Sequence, residues 1–262
     1  MTDRRMLAAR LDEAVRTAVP IPQLTAETEL DLEEAYAVQA AGVALRVDRG
    51  ERPVGVKLGF TSKAKAEQMG VSDVIIGVLT SGMEVADGGV ADVDRMIHPR
   101  VEPEVAFRLG RDIDPHDPDD DPLTAVDAVA PALEIIDSRY RDFRFSLADV
   151  VADNTSACAF VIGPWQQPGS ADLSDLPVDL HVDGEVVATG SSADILGHPE
   201  RALEAIKRMA RLHGIALPAG AVVLAGAATA AAPLTAGREV VATVGDLGRV
   251  SVRTAGVEAH DG

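Results

Sequence analysis

From residue 53 onward the chain is cut into short apolar runs by glycine, proline and aspartate. Runs of that length with such borders read as strands rather than helices. They are PVGVKLGF (53–60), IIGVL (75–79), IHPRVEPEVAFRLG (97–110) and AVAPALEIID (128–137), then a hairpin, PVDLHVDGEVVATG (177–190), with Asp183-Gly184 at its turn. Three more follow at 221–225, 239–244 and 248–253. Helical patterns interrupt this twice: a short one from the N-cap Ser62 to Gly70, and one over 197–214, with Pro199 near its first turn and Gly214 at its end. Before residue 53 the spacing predicts helices over 3–18 and 25–47, with Asp31 and Glu34 placed as a capping box. Regular βαβ alternation and a GxGxxG loop are both lacking, which excludes a Rossmann arrangement. The prediction is an α+β fold, with a helical N-terminal region over 1–52 and a β-rich mixed domain over 53–262.

Charge narrows the partners. With 42 acidic and 24 basic residues the net charge is -18. Such a chain repels nucleic acid and anionic membranes, so its ligand is expected to be small. The single cysteine, Cys158, permits no internal disulfide and no thiolate zinc site. No run of about 18 apolar residues is present, and the N-terminus lacks a signal-peptide core. A cytoplasmic location is therefore expected.

Four residues carry chemistry. Glu102 and Glu104 in RVEPEVAF share one face of a strand, because their spacing is two. One reading is a polar edge, consistent with Pro103 between them. Glu134 lies in APALEIID between Leu133 and Ile135, where burial is expected, and a buried carboxylate needs a partner. That partner is either an arginine, Arg100 or Arg139, or a metal. Three carboxylates without His or Cys suit a hard cation, Mg²⁺ or Mn²⁺. Lys57 is flanked on its own face by Gly55 and Gly59, which leave room for a ligand or a second backbone. It either snorkels to water or faces the carboxylates as a proton donor or anion stabiliser. Ser62, Asn154 and Ser156 are candidate substrate contacts; ADNTSA (152–157) reads equally well as a helix cap. His198 fits a turn before a helix, the aspartates of 111–121 fit a solvated loop, and no GxSxG is present.

GVKLGFTSKAKAEQMGV, IHPRVEPEVAF, PALEIIDSRYRDFRFSLADVVADNTSA, LGHPE and AGAATAAAPLTAG, in this order over 25–253, resemble the 2-keto-4-pentenoate hydratase / 2-oxo-3-hexenedioate decarboxylase family of the fumarylacetoacetate hydrolase superfamily. The resemblance implies a β-sandwich or roll of the fumarylacetoacetase C-terminal type behind a small helical part. It implies Mg²⁺ or Mn²⁺ on Glu102, Glu104 and Glu134, with Lys57 as the catalytic lysine. KAEQMGV, DSRYRDFRF and TAAAPLTAG look closer to the decarboxylase branch, whose substrate is 2-oxo-3-hexenedioate (4-oxalocrotonate). The alternatives are the hydratase acting on 2-hydroxypenta-2,4-dienoate, an acylpyruvate hydrolase and a silent scaffold subunit. A homo-oligomer and a complex with a partner hydratase are further expectations.

Overall fold

The computed structural model describes residues 4–61 and 73–256. Helices α1 (Arg4–Thr17) and α2 (Leu32–Asp48) come first. Strands β1 (Pro53–Gly59), β2 (Ile75–Thr80), β3 (Glu84–Val85), β4 (Val90–Ala91), β5 (Arg100–Leu109) and β6 (Val126–Ile136) follow. Then come helix α3 (Leu147–Ala152), strands β7 (Ala157–Ile162), β8 (Pro177–Val182) and β9 (Glu185–Ser191), and helix α4 (Arg201–His213). Strands β10 (Val222–Ala227), β11 (Ala232–Pro233), β12 (Glu239–Val244) and β13 (Gly248–Thr254) complete the chain. This is the predicted α+β class with a small helical N-terminal part. The expected helix over 62–70, and Ser62 with it, lie outside the described residues.

The predicted 25–47 helix begins only at Leu32, because Asp31 caps it by accepting the Glu34 N–H at 2.8 Å. Upstream, Thr25 is held by Asp149 instead, through its N–H at 3.0 Å and its hydroxyl at 2.7 Å. Two α2 side chains tie the helix to β2 and α3: the buried Gln39 amide donates to Ile76 O and Val151 O, and the Tyr36 hydroxyl accepts the Ile76 N–H at 3.3 Å. Helix α4 stops where Gly214 takes up a left-handed φ of +66°. Helix α3, strand β7 and the two-residue strands β3, β4 and β11 are not marked by the sequence pattern. The first is set by a capping box between Ser146 and Asp149.

Among the described residues the large sheet has eight strands, in the order β2-β1-β10-β5-β6-β7-β3 with β11 beside β5, and it curls into a half-barrel. Its pairs are antiparallel except β1 with β10 and β3 with β7. A second sheet, β4-β13-β12-β8-β9, packs on it. Alternation along β5 divides the labour. Val105 and Phe107 face the layer containing α1, α2 and α4, while Val101, with Leu133 and Ile135 of β6, packs against Leu180, Val240 and Val250 of the second sheet. The opposite face of β5 carries Glu102, Glu104 and Ala106, and points into the half-barrel beside Ala132 and Leu224.

Pro103 corrects the edge reading, since β5 lies inside the sheet between β10 and β6. The strand tolerates it because β10 shifts register between Leu224 and Ala227 opposite this point. There Pro103 contributes only its carbonyl, which accepts the Ala228 N–H at 2.9 Å.

Candidate metal centre and active site

Antiparallel register sets Glu102 of β5 directly opposite Glu134 of β6. Glu104 lies two residues further along the same face. The three are 5%, 0% and 1% exposed, and one oxygen of each lies within 4.8 Å of the others. Like charges placed opposite one another on a sheet repel, and burial magnifies the cost. Their partner is not Arg139. That guanidinium is buried elsewhere, on Asp153 and the carbonyls of Asp137 and Ala157.

Lys57 supplies one positive charge. Its Nζ lies 2.9 Å from Glu134 Oε2, a close ion pair but not a well-aligned hydrogen bond, and it donates to Thr155 O at 3.1 Å. Lys57 is three strands away from Glu134 in the sheet order, about 14 Å at ordinary strand spacing. Curling of the sheet is what lets two side chains close that distance. Among the described residues Lys57 is the cation paired with Glu134, and its one charge does not neutralise three carboxylates. Burial first, and then the charge on Glu134, push the Glu104 carboxyl well above its usual range against the pull of Lys57. Burial likewise raises Glu134 against the pull of Lys57. Glu104 Oε2 accepts the Gly226 N–H at 2.7 Å, but Glu104 Oε1 and Glu134 Oε1 are buried without a donor among the described residues. Orphaned, crowded, oxygen-only ligands fit a hard divalent cation, which would satisfy these atoms and offset the repulsion. The cluster can therefore coordinate a divalent metal.

The glycines around Lys57 serve the protein's own chain. A Cβ at Gly55 would sit 2.1 Å from Val222 O, and one at Gly59 would meet Thr155 Cγ2 at 2.7 Å. Clearance for substrate is thus corrected to clearance for β10 and for the turn carrying Thr155. That turn has three successive left-handed residues, Asn154, Thr155 and Ser156, at φ of 50°, 55° and 57°. Conformations of this kind cost about 1–3 kcal/mol each and persist only where the surroundings enforce them. Here Asn154 provides the enforcement: its amide donates to Val78 O and accepts the Val78 N–H, both at 2.8 Å. Asn154 is thereby committed to the backbone and is absent from the cavity described next, contrary to the substrate contact expected of it. The Ser156 hydroxyl does line the cavity, buried and without a hydrogen-bond partner among the described residues, as does that of Thr155.

The cavity measures about 510 Å³ and is lined by Lys57 and Glu102 and by apolar side chains that include Phe60, Ile75 and Val150. Arg100, Phe143 and Arg144 line it too; Arg100, expected as a candidate partner of Glu134, lies over the Phe143 ring instead, and Phe143 and Arg144 carried no expected role although the RDFRF stretch was a visible signal. A cavity of similar size, about 520 Å³, lies apart from the carboxylates between Tyr36, Val43, Val54 and His213, and no acidic side chain lines it. His198 sits in the turn before α4, where its Nδ1 accepts the Glu200 N–H.

Gly226 controls the donor to Glu104. Its φ is +120°, and a Cβ there would meet Thr61 Oγ1 at 2.2 Å. Gly226→Ala is therefore expected to lower the melting temperature by several degrees, for about 1–3 kcal/mol of strain, and to weaken divalent-metal binding. Thermal melts with and without Mg²⁺ check this, and a variant matching wild type in both would show that the close approach is not constraining.

Residues 76–255 match the family model for the fumarylacetoacetate (FAA) hydrolase C-terminal region. The chain is 50% identical over 250 residues to a 4-oxalocrotonate decarboxylase of a Pseudomonas species, covering 95% of this chain and 97% of that one. It is 33% identical over 261 residues to the 2-hydroxyhexa-2,4-dienoate hydratase of Comamonas testosteroni, covering 97% and 99%. Among solved structures, the 4-oxalocrotonate decarboxylase from Pseudomonas putida G7, complexed with magnesium and adipate, superposes with a TM-score of 0.92 at 35% identity, over 97% of this chain and 98% of that one. A shared fold, near-complete coverage and this identity lead to one assignment: the chain belongs to the fumarylacetoacetate hydrolase superfamily, in the branch of the 4-oxalocrotonate decarboxylases and 2-keto-4-pentenoate hydratases, with 4-oxalocrotonate decarboxylase as a close homologue.

Proposed function

We propose that the protein is a metal-dependent lyase that decarboxylates 2-oxo-3-hexenedioate (4-oxalocrotonate) to 2-hydroxypenta-2,4-dienoate, with Mg²⁺ or Mn²⁺ on Glu102, Glu104 and Glu134. The observation that carries this reading is the buried three-glutamate cluster paired with Lys57, of which Lys57 and Glu102 line a cavity. Identity to a 4-oxalocrotonate decarboxylase, and a solved relative holding magnesium with a six-carbon diacid, support the choice of reaction.

In this substrate the C5–C6 bond breaks, CO₂ leaves, and its electron pair moves through the C3–C4 double bond to the 2-oxygen. When bound, a hard divalent cation supplies Lewis-acid stabilisation of that developing negative charge. The three glutamates hold the cation and take no proton. Lys57, fixed by Glu134 and Thr155 O, presents an ammonium that stabilises the charge or delivers the proton the 2-oxygen takes up. The hydroxyls of Thr155 and Ser156 offer hydrogen bonds to the substrate. Apolar side chains at Phe60, Ile75 and Val150 offer contact to the hydrocarbon part of the substrate.

The test is direct. Purified protein with Mg²⁺ is given 2-oxo-3-hexenedioate and 2-hydroxypenta-2,4-dienoate separately, and CO₂ release and dienoate loss are followed. Release of CO₂ from the diacid is expected, and Lys57→Met is expected to reduce it by about 100-fold or more. Consumption of the dienoate alone would replace this reading with the hydratase.

A further inference from the structure

We propose that Arg144 and Arg100 form a clamp for the distal carboxylate of a dicarboxylic 2-oxo acid, and that the turn carrying Phe143 is the element that selects such substrates. This rests on the 2-oxo acid reading of the same site and deepens it. Lys57 and Glu102 line the cavity beside the glutamate cluster, where the 2-oxo acid head belongs; Arg144 and Arg100 line the same cavity without taking part in that cluster.

Charge is the first argument. Arginines near the surface of this acidic chain include several matched by carboxylates, such as Arg49, Arg108, Arg208 and Arg238. No described carboxylate forms an ion pair with Arg100 or Arg144. Asp142 also lines the cavity, so the two arginines and one aspartate leave this group with one net positive charge.

Preorganisation is the second. Asp142 and Phe143 both hold left-handed backbone, at φ of 59° and 56°. The strained turn is clamped on both sides: Tyr140 is fully buried and its hydroxyl donates to Asp149 O at 3.0 Å, and Ser146 closes the capping box with Asp149. Strain maintained by such anchoring marks positions that hold a side chain for a purpose. What it holds is Phe143, over whose ring the Arg100 guanidinium lies 4.5 Å from the centroid. Stacking fixes the guanidinium plane and leaves its N–H edge free for a carboxylate.

Calorimetry of the Mg²⁺-loaded protein tests the clamp with two probes, 2-oxoadipate and 2-oxohexanoate. They share the 2-oxo acid head and differ in the distal carboxylate. Wild type is expected to bind 2-oxoadipate at least about ten-fold more tightly. Arg144→Gln and Arg100→Gln should each reduce that preference, the double variant should bring it within about two-fold, and Arg144→Lys should retain part of it. Affinity for 2-oxohexanoate should hardly change. Absence of a preference in wild type, its survival in the double variant, or equal loss for both probes overturns the proposal. With 2-oxo-3-hexenedioate, Arg144→Gln should raise KM without lowering kcat, because a cation on the leaving carboxylate stabilises the ground state more than the transition state. A fall in kcat at constant KM also overturns it. Since the calorimetry needs no turnover, a protein that released no CO₂ but kept the arginine-dependent preference would retain the clamp and lose only the proposed reaction.

Discussion

Replacing Glu104 with Gln is expected to remove divalent-metal binding while making the metal-free protein more stable. The two effects share one cause. Glu104 is buried against two other carboxylates, and among the described residues its charge is opposed by Lys57. An amide of the same shape keeps an acceptor for the Gly226 N–H and turns its NH₂ toward the orphaned oxygens of its neighbours. Exchanging a poorly compensated buried charge for a neutral group is stabilising by about 1–4 kcal/mol, which at this chain length is worth roughly 2–4 °C per kcal/mol. A cation loses one of its three carboxylates at the same time, and metal-supported turnover should fall by about 100-fold or more. Melting curves with and without Mg²⁺ separate the two, and a variant whose melting temperature still rises with Mg²⁺ would remove Glu104 from the site.

The same cluster sets a pH dependence. Burial raises Glu104 and Glu134, so the metal-free fold retains protons there that the unfolded chain has already released. A carboxyl raised on folding favours the fold at low pH and disfavours it as pH climbs past the unfolded value. Bound metal takes the place of those protons. The rise in melting temperature caused by Mg²⁺ should therefore grow from pH 5 to pH 8 in wild type, and it should be absent across that range in Glu104→Gln.

Asp153→Ala is the second large effect, and it acts through the fold. Asp153 is the anionic partner of the buried Arg139, receiving its side-chain Nε–H and, at 3.0 Å, its backbone N–H. Removing the aspartate leaves a guanidinium buried without its counter-charge, a change that costs about 3–5 kcal/mol. A fall in melting temperature of roughly 6–20 °C follows. The damage should also reach the site. Asp153 starts the left-handed turn whose Thr155 carbonyl holds Lys57, so turnover measured below the new melting point should drop as well. Asp153→Asn, which keeps an acceptor, should lose less in both readouts. Equal melting temperatures for wild type and Asp153→Ala would show that this pair does not anchor the turn.

The local pattern of the chain determined much of this protein. Period-two alternation placed Glu102 and Glu104 on one face, and a lone glutamate in an apolar run marked Glu134 as a buried charge in need of a partner. Capping chemistry singled out Asp31, although the periodic pattern carried the helix back to residue 25, and the resemblance of the motifs pointed to the superfamily. These signals are local because alternation and capping act over a few residues. Tertiary structure alone decided which of the open alternatives held. It sent Arg139 to Asp153, spent Asn154 on Val78, gave the glycines beside Lys57 to neighbouring chain, and admitted Pro103 to an interior strand through a shift in β10. It also brought Lys57 to Glu134 across three strand spacings and set Arg100 on Phe143 beside Arg144. Each of these depends on how far the sheet curls and on where distant segments cross it, and no short stretch of sequence encodes either.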